Sequence, residues 1–529
     1  MTPRPTASPH EQIEEGASVF IPPAQTSQRQ SNRIDQLAAV ECANPIAQWA
    51  NRALVLFILL FTLSVPHSIA ASQISFGLGV IFWIVRDLAS RRFHFARTPM
   101  DWPLLSFASL TILSSVFSVE PGVSLPKLKT LTLFGVIYLL ATNLSRRGVR
   151  LVVGLLIVSA LAGVGFSLAE KVYGRGMIIA SIEDGSPLTS NRLQSGNLQP
   201  GDVIWMIARK RVYSPDDAAA VIRKHNPGDA LDVEALHAGD PVPVTLTVTE
   251  ELKAKRNPLG VETSGRTRQF RVSGFSRQFL TYAEQMQILG MLAFGGLLTG
   301  IKLWRKRAAR MKLAIFSALF ILFALALILT ASRAVIAAFI VALLFVSISV
   351  GGRLAPVLAL AAALLLGGIG YYVITTARQP VTLSFNDDSS SRRIAYMRAG
   401  LRVIPQHPLL GVGMDSHKRH WSEWGFPGDY ITHTHSTPIQ IAMDRGLPAL
   451  ASYFWLIAAM MTMAWRGYRR ARSDGDDFGE SLTLGSFGAL LGFTLSSLTN
   501  YNFGDSETLM MLLCVAGVSA AQLRLARTK

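Results

Sequence analysis

Only two cysteines, Cys42 and Cys514, occur in 529 residues. That excludes a disulfide framework and a cysteine-only metal site. Charge is scarce as well. Asp, Glu, Lys and Arg make up 16 % of the chain, against about 25 % in an ordinary soluble domain. That shortfall argues against a soluble enzyme. No H-E-x-x-H segment occurs, which excludes a zinc helix of the metalloprotease kind. Residues 1–52 lack the apolar core and cleavage site of a signal peptide. They are rich in Pro, Ser, Gln and Glu, and the expectation is a mostly disordered cytoplasmic tail with a short helix near Ile34–Trp49.

Apolar residues, by contrast, make up 50 % of the chain. A bilayer-spanning helix needs about 20 of them in a row. Candidate spans fall at 53–67, 69–85, 103–118, 128–144, 149–169, 286–301, 313–330, 334–350, 354–376, 447–465, 482–499 and 508–522. The expected fold is thus an all-α polytopic membrane protein of about twelve transmembrane helices.

Lys and Arg outnumber Asp and Glu 51 to 34, a net charge of +17. On a soluble protein that excess would suggest nucleic acid; on a membrane protein it sits in cytoplasmic loops. Here it follows alternate spans: Arg86, Arg91, Arg92 and Arg97 after the second, Arg146, Arg147 and Arg150 after the fourth, Lys302 to Lys312 after the sixth, Arg353 after the eighth, Arg466 to Arg472 after the tenth, and Arg524, Arg527 and Lys529 at the end. Both termini are expected in the cytoplasm of a bacterial inner-membrane protein, with no nucleic-acid partner. Transmembrane helices 1–5 occupy 53–171, helices 6–9 with a preceding periplasmic segment 251–376, and helices 10–12 with a cytoplasmic C-terminus 447–529. The segments 172–250 and 377–446 fall outside.

Segment 172–250 changes character. Met177–Ile182 alternates like a strand and ends in the turn Glu183-Asp184-Gly185-Ser186-Pro187. Leu198-Gln199-Pro200-Gly201-Asp202 turns into a second strand, Val203–Ile207. Ser214-Pro215 opens a helix with a capping serine and proline at its first position. Strands Leu231–Leu236 and Val242–Thr249 close the segment. This order resembles a bacterial PDZ domain, a small α/β module. Such domains capture a peptide C-terminus as an added strand. The further strand expected before Gly176 is missing, so the resemblance implies a spacer, or a tether to a periplasmic protein partner.

Arg333, in Thr330-Ala331-Ser332-Arg333, stands between two apolar runs, where a cation is costly without an anionic partner or water. In 377–446, Ser391–Gly400 starts an amphipathic helix, His407–Met414 forms an apolar turn with two glycines, and Thr432-His433-Thr434-His435-Ser436 precedes the tenth span. A histidine beside arginines suits proton transfer next to a bound anion.

Arg393, Arg398-Ala399, His407-Pro408-Leu409-Leu410-Gly411-Val412-Gly413, His435-Ser436, Gln440 and Arg445-Gly446-Leu447-Pro448 together resemble the O-antigen ligase/polymerase superfamily. Arg271-Val272-Ser273-Gly274-Phe275 and Thr330–Arg333 resemble that family's R-x-x-G-F and T-x-S-R segments. Met397, Pro438 and Ala449 depart from the pattern at packing positions.

The resemblance implies a glycosyltransferase of the GT-C type, using no cofactor and no metal. Its donor is a glycan on undecaprenyl diphosphate. Its acceptor is lipid A core for a ligase or a growing glycan for a polymerase, and the arginine–histidine set favours ligation. Membrane lipids surround it. Catalysis is expected of His435, Arg393 and Arg333, and diphosphate binding of Arg271, Arg333 and Arg393. Arginine makes forked, permanently charged contacts to phosphate, and fixed arginines can stabilise a leaving diphosphate. His435 would orient or deprotonate the attacking hydroxyl. Asp505 is a candidate for orienting His435 or an arginine, and reads equally well as a turn aspartate. The competing class is an anion-binding transporter, which would show internal repeats and interrupted helices; no repeat between the halves is seen in the sequence, and the charged positions cluster on one face.

Overall fold

The computed structural model describes residues 33–188, 198–237, 240–276, 278–303, 307–350, 354–377, 388–428 and 431–527. Most of it is helix. The first half carries α1 (Pro45–Ser64), α2 (Ile69–Ser90), α3 (Asp101–Val116), α4 (Pro121–Ser124), α5 (Gly135–Asn143) and α6 (Arg146–Tyr173), with a 3-10 stretch Leu125–Phe134 joining α4 to α5. An inserted sheet follows, with β1 (Arg175–Ile182), β2 (Val203–Ile207), β3 (Lys210–Arg211), α7 (Pro215–Ile222), β4 (Ala230–His237), β5 (Asp240–Thr247), α8 (Glu250–Ala254) and β6 (Val261–Thr267). The second half carries α9 (Phe279–Lys302), α10 (Arg307–Leu329), α11 (Arg333–Val350), α12 (Leu354–Ala377), α13 (Asp388–Val403), α14 (Thr437–Ser473), α15 (Asp477–Ser496) and α16 (Ser506–Arg527).

Each expected span falls on a helix. Among the described residues eight helices are long and apolar enough to cross a membrane: α1, α2, the continuous stretch Pro121–Asn143, α6, α10, α11, α14 and α16. This is a multi-pass membrane protein.

The first helix starts earlier than expected. Pro45 opens α1, and the Asn44 side chain accepts from the Ile46 N–H at 2.8 Å. Proline at the first helical position and an asparagine cap are the ordinary start signals. Two polar residues at the end of the expected tail, Asn51 and Arg52, are paired within the fold, and Arg86, expected in a basic loop, is buried in α2. Asn51 accepts from Arg86 Nη1 at 3.2 Å, and Arg52 pairs with Asp35 at 2.8 Å. The short helix expected near Ile34–Trp49 becomes a 3-10 turn, Asp35–Leu37, and the start of α1. Residues 1–32 of the expected tail lie outside the described residues.

Contacts sort the helix ends. Arg146 donates to the Leu525 carbonyl and Arg524 to the Leu144 carbonyl. Lys302 pairs with Glu480 at 3.0 Å, and Arg472 donates to the Val350 carbonyl. The basic ends therefore share one end of the bundle. At the other end His67 packs on Phe275, Val119 bonds Val412, and Thr281 bonds Asp505.

The inserted sheet has the order β5-β4-β2-β1-β6, with β3 beside β2. The strand missing before Gly176 is supplied from the other side of the segment. β6 lies beyond residue 250 and pairs antiparallel with the free edge of β1. Ser214 caps α7 by accepting from the Asp217 N–H at 3.2 Å. Met177, Ile179, Ile204, Ile207, Val233, Leu246 and Val261 build a core of the insert's own. β2 is buried along its whole length because it serves two cores: Ile204 faces the insert's core, while Val203 and Trp205 pack into the bundle's. A buried ion cluster fixes the docking. Glu170, at the end of α6, takes Arg175 Nε at 3.0 Å and also Arg211. Arg175 in turn donates to the Arg271 carbonyl at 3.2 Å and stacks over Trp205.

Candidate functional site: a polar cavity at one end of the bundle

α14 is broken at its start. Gly446 has φ +84° and ψ 169°, and Pro448 follows. A Cβ at Gly446 would lie 2.2 Å from the Leu409 carbonyl oxygen, so only glycine fits. The apolar turn Leu409–Gly413 lies in that break. The Leu447 N–H donates to Pro408, Val412 to Met443 and Gly413 to Asp444, at 2.8–2.9 Å. The glycine-rich turn and the Arg445-Gly446 segment are thus two halves of one backbone contact. Tyr396 and Val403 of α13 join Val412, Trp421, Phe426 and Met443 in a small core that holds α13 against this junction.

Just before α14 the backbone at His435 adopts φ +55°. That left-handed conformation is uncommon for a residue with a Cβ, though histidine tolerates it better than most. The turn is held by Gln440, whose Oε1 accepts from the Thr434 N–H at 2.9 Å. It brings the His433 and His435 rings within 4.3 Å of each other and sets His435 beside Tyr396. The His435 N–H donates to His433 Nδ1 at 3.1 Å. A backbone N–H can only donate, so neutral His433 carries its proton on Nε2. His435 Nδ1 is buried with no hydrogen-bond partner among the described residues.

These groups line a cavity of ≈ 650 Å³. Arg393, His433 and His435 are on its wall, with Lys127, Lys418, Asp444, Arg445, Tyr501 and the N-terminus of α9. Arg393 Nη1 donates to Asn500 Oδ1 at 3.3 Å, and Asn500 Nδ2 donates to Glu284 at 3.3 Å. Burial, then the neighbouring His417, Lys418 and Arg393 charges, push His433 down to about 4. Burial, then His433 and Arg393, push His435 down to about 2. Both are neutral at physiological pH. A neutral imidazole with a free Nδ1 can accept a proton or a hydrogen bond from a hydroxyl, and a bound anion beside it would raise its basicity.

The other expected residues sit differently. Arg333 opens α11 outside the cavity wall and reaches Ser390 in the first turn of α13 at 3.5 Å, three residues before Arg393. Arg271 also lies off the wall and stacks on Phe279, which does line it. Asp505 lines the cavity, but its carboxylate accepts from Thr281 and from the Glu507 and Thr508 amides. It bonds neither His435 nor an arginine, and behaves as the cap of α16. One residue on the wall was noticed only as part of a motif. Arg445 is 5 % exposed, its Nη2 meets Met414 Sδ at 3.0 Å, and its Nε and Nη1 have no hydrogen-bond partner.

The arrangement is a multi-pass helical membrane protein with a cationic, histidine-bearing cavity at the end of the bundle opposite its basic loops. Residues 318–454 match the family model described as O-antigen ligase. The match runs through Arg333, Arg393, the 407–413 turn, His435 and Arg445. It leaves the insert, Arg271 and Asp505 outside. This likeness supports a membrane enzyme of the O-antigen ligase/polymerase kind. No curated protein matches the chain.

Proposed function

We propose that this protein transfers a glycan from undecaprenyl diphosphate to an acceptor hydroxyl at the periplasmic face of the bacterial inner membrane, most simply by ligation to lipid A core. The observation that carries this reading is the meeting of Arg393 and His435 on one cavity wall, inside the segment that resembles O-antigen ligases. Arg393 faces the diphosphate, where negative charge grows as the glycosidic bond to phosphate breaks. His435 Nδ1 accepts the acceptor hydroxyl's proton as its oxygen attacks the anomeric carbon. Arg333 braces the first turn of α13, and Arg271 backs Phe279. Guanidinium charge serves in place of a divalent metal, so chelators should leave the reaction intact. The same chemistry serves a polymerase whose acceptor is a growing chain.

The reading also takes all twelve helices as spans with both termini cytoplasmic. Clustering of the basic helix ends at one end of the bundle supports this. The direct test is transfer from lipid-linked glycan by purified protein. Dependence on a divalent metal, or a cytoplasm-active reporter fused at Pro215, would refute it. Deletion strains separate the two acceptors. Loss of core capping marks a ligase, and capping by single repeats marks a polymerase.

A further inference from the structure

Arg445 poses a problem that the rest of the cavity does not. A guanidinium is always charged, and burying a charge without a partner is expensive. Here it is nineteen-twentieths buried, on the cavity wall, with two of its three nitrogens unbonded and the third on a thioether. A thioether is a weak acceptor. The Phe107 ring, 5.6 Å away, offers only the modest attraction of an aromatic face. The Tyr501 phenol stands close enough to interact with it, but a neutral phenol supplies no counter-charge.

None of the acidic residues on the same wall compensates it, because each is engaged elsewhere. Asp444 takes both oxygens' bonds from Gln440 at 3.0 Å and faces His417 at 3.5 Å. Asp415 pairs with Lys127 at 2.6 Å and Lys418 at 3.1 Å. Glu284 accepts from Ser496 and Asn500, and Asp505 from Thr281 and the α16 amides. Among the described residues no carboxylate lies within ion-pair distance of Arg445. Asp444 and Arg445 are sequence neighbours, and one helical step turns their side chains about 100° apart.

We propose that Arg445 is an anion-binding residue of the cavity, and that its unbonded Nε and Nη1 take phosphoryl oxygens of a diphosphate. These two donors lie on opposite flanks of the guanidinium and diverge, so each takes a separate phosphoryl oxygen, and the permanent charge strengthens both bonds. The desolvation cost is met on folding, so the ligand meets a dry, fixed charge. This deepens the proposed function, because it rests on a lipid diphosphate being the donor. It adds a cation that Arg271 and Arg333, both off the wall, do not supply.

The test uses the full chain in detergent, with inorganic pyrophosphate and undecaprenyl diphosphate as probes. Arg445→Met keeps the bulk and the thioether and aromatic contacts but removes the charge. Without ligand its melting temperature should be unchanged or higher. Its affinity for both probes should fall ~10- to 100-fold, the weight of hydrogen bonds to a charged group. Arg445→Lys should recover part of that affinity. Wild-type affinity in Arg445→Met would overturn the proposal. So would equal loss of folding in the Met and Lys variants, which would mark a packing role. Arg445-dependent pyrophosphate binding without any glycan transfer would uphold this inference while refuting the proposed function. Transfer at the wild-type rate by Arg445→Met would do the reverse.

Discussion

The two segments that lie between the apolar helices solve the same problem in opposite ways. The insert, β1 to β6, brings its own core and pairs its own strands. The segment from α13 to the start of α14 has only a small core of seven buried residues. Its shape comes from outside. Ser118 donates to the Val412 carbonyl and Ser124 to the Met414 carbonyl. The backbone at 411–413 lies against the break in α14. A segment with its own alternating pattern can be read from its sequence. One shaped by distant backbone contacts keeps only traces, here glycines and a histidine in a left-handed turn. The proposed chemistry lies in the second kind, where a rigid frame holds a loop in a conformation it would not adopt alone.

Variants can break that contrast. The largest effect should come from the loop's polar residues. His435→Ala should lower transfer by on the order of 10²–10⁴, the usual contribution of a positioned base, with pyrophosphate binding intact. Arg393→Ala should cost a charge-assisted contact of ~1.5–3 kcal/mol, and Arg393→Lys should restore part of it, because an ammonium lacks the fork. His433→Ala should do much less than either. Full activity in His435→Ala would show that the loop does not carry the reaction. Glu170→Gln should loosen the insert and affect transfer less than Arg393→Ala does.

The insert offers the complementary experiment. A fragment of residues 175–267 should fold alone, giving dispersed NMR signals, whereas 175–250 should not, because β1 would lose its outer partner β6. The whole fragment exposes Val203 and Trp205, which the bundle covers in the full chain. Equal spectra from the two fragments would show that β6 is not needed for the insert's fold.

Gly446→Ala tests the frame. A methyl group facing the Leu409 oxygen, at a positive φ, should destabilise the junction by at least ~1–3 kcal/mol. Thermal melts of the full chain should register this, and transfer should fall with it. An unchanged melt would mean that the loop and the helix break are not mechanically joined.

The smallest effect concerns pH. His433 and His435 have folded values below the unfolded 6.5. The unfolded chain therefore binds more protons as pH falls through 6.5. Their contribution to stability is complete above that pH and is lost below it, at on the order of 1 kcal/mol per histidine per pH unit. Melting temperature should be flat from pH 8 to 6.5 and decline toward pH 4, less steeply in His433→Asn. A rise toward acid pH would mean that these rings are charged in the folded protein.

Some of this could be read from composition and pattern alone. Apolar runs of sufficient length located the helices, because the bilayer requires length and hydropathy and little else. Alternation and turn residues located β1, β2, β4, β5 and α7, because those signals act between near neighbours. Motif order singled out Arg393 and His435. The tertiary structure decided what depends on chains far apart. It showed β6 as the partner of β1, Arg86 and Asn51 as internal pins, and Asp505 as a helix cap. It also divided the arginines. Arg393 and Arg445 share a cavity, while Arg333 and Arg271 stand behind its wall. Sequence supplies a cation's identity. Whether that cation has a counter-ion depends on which carboxylates the fold brings near it and how they are already engaged, and no local pattern records that.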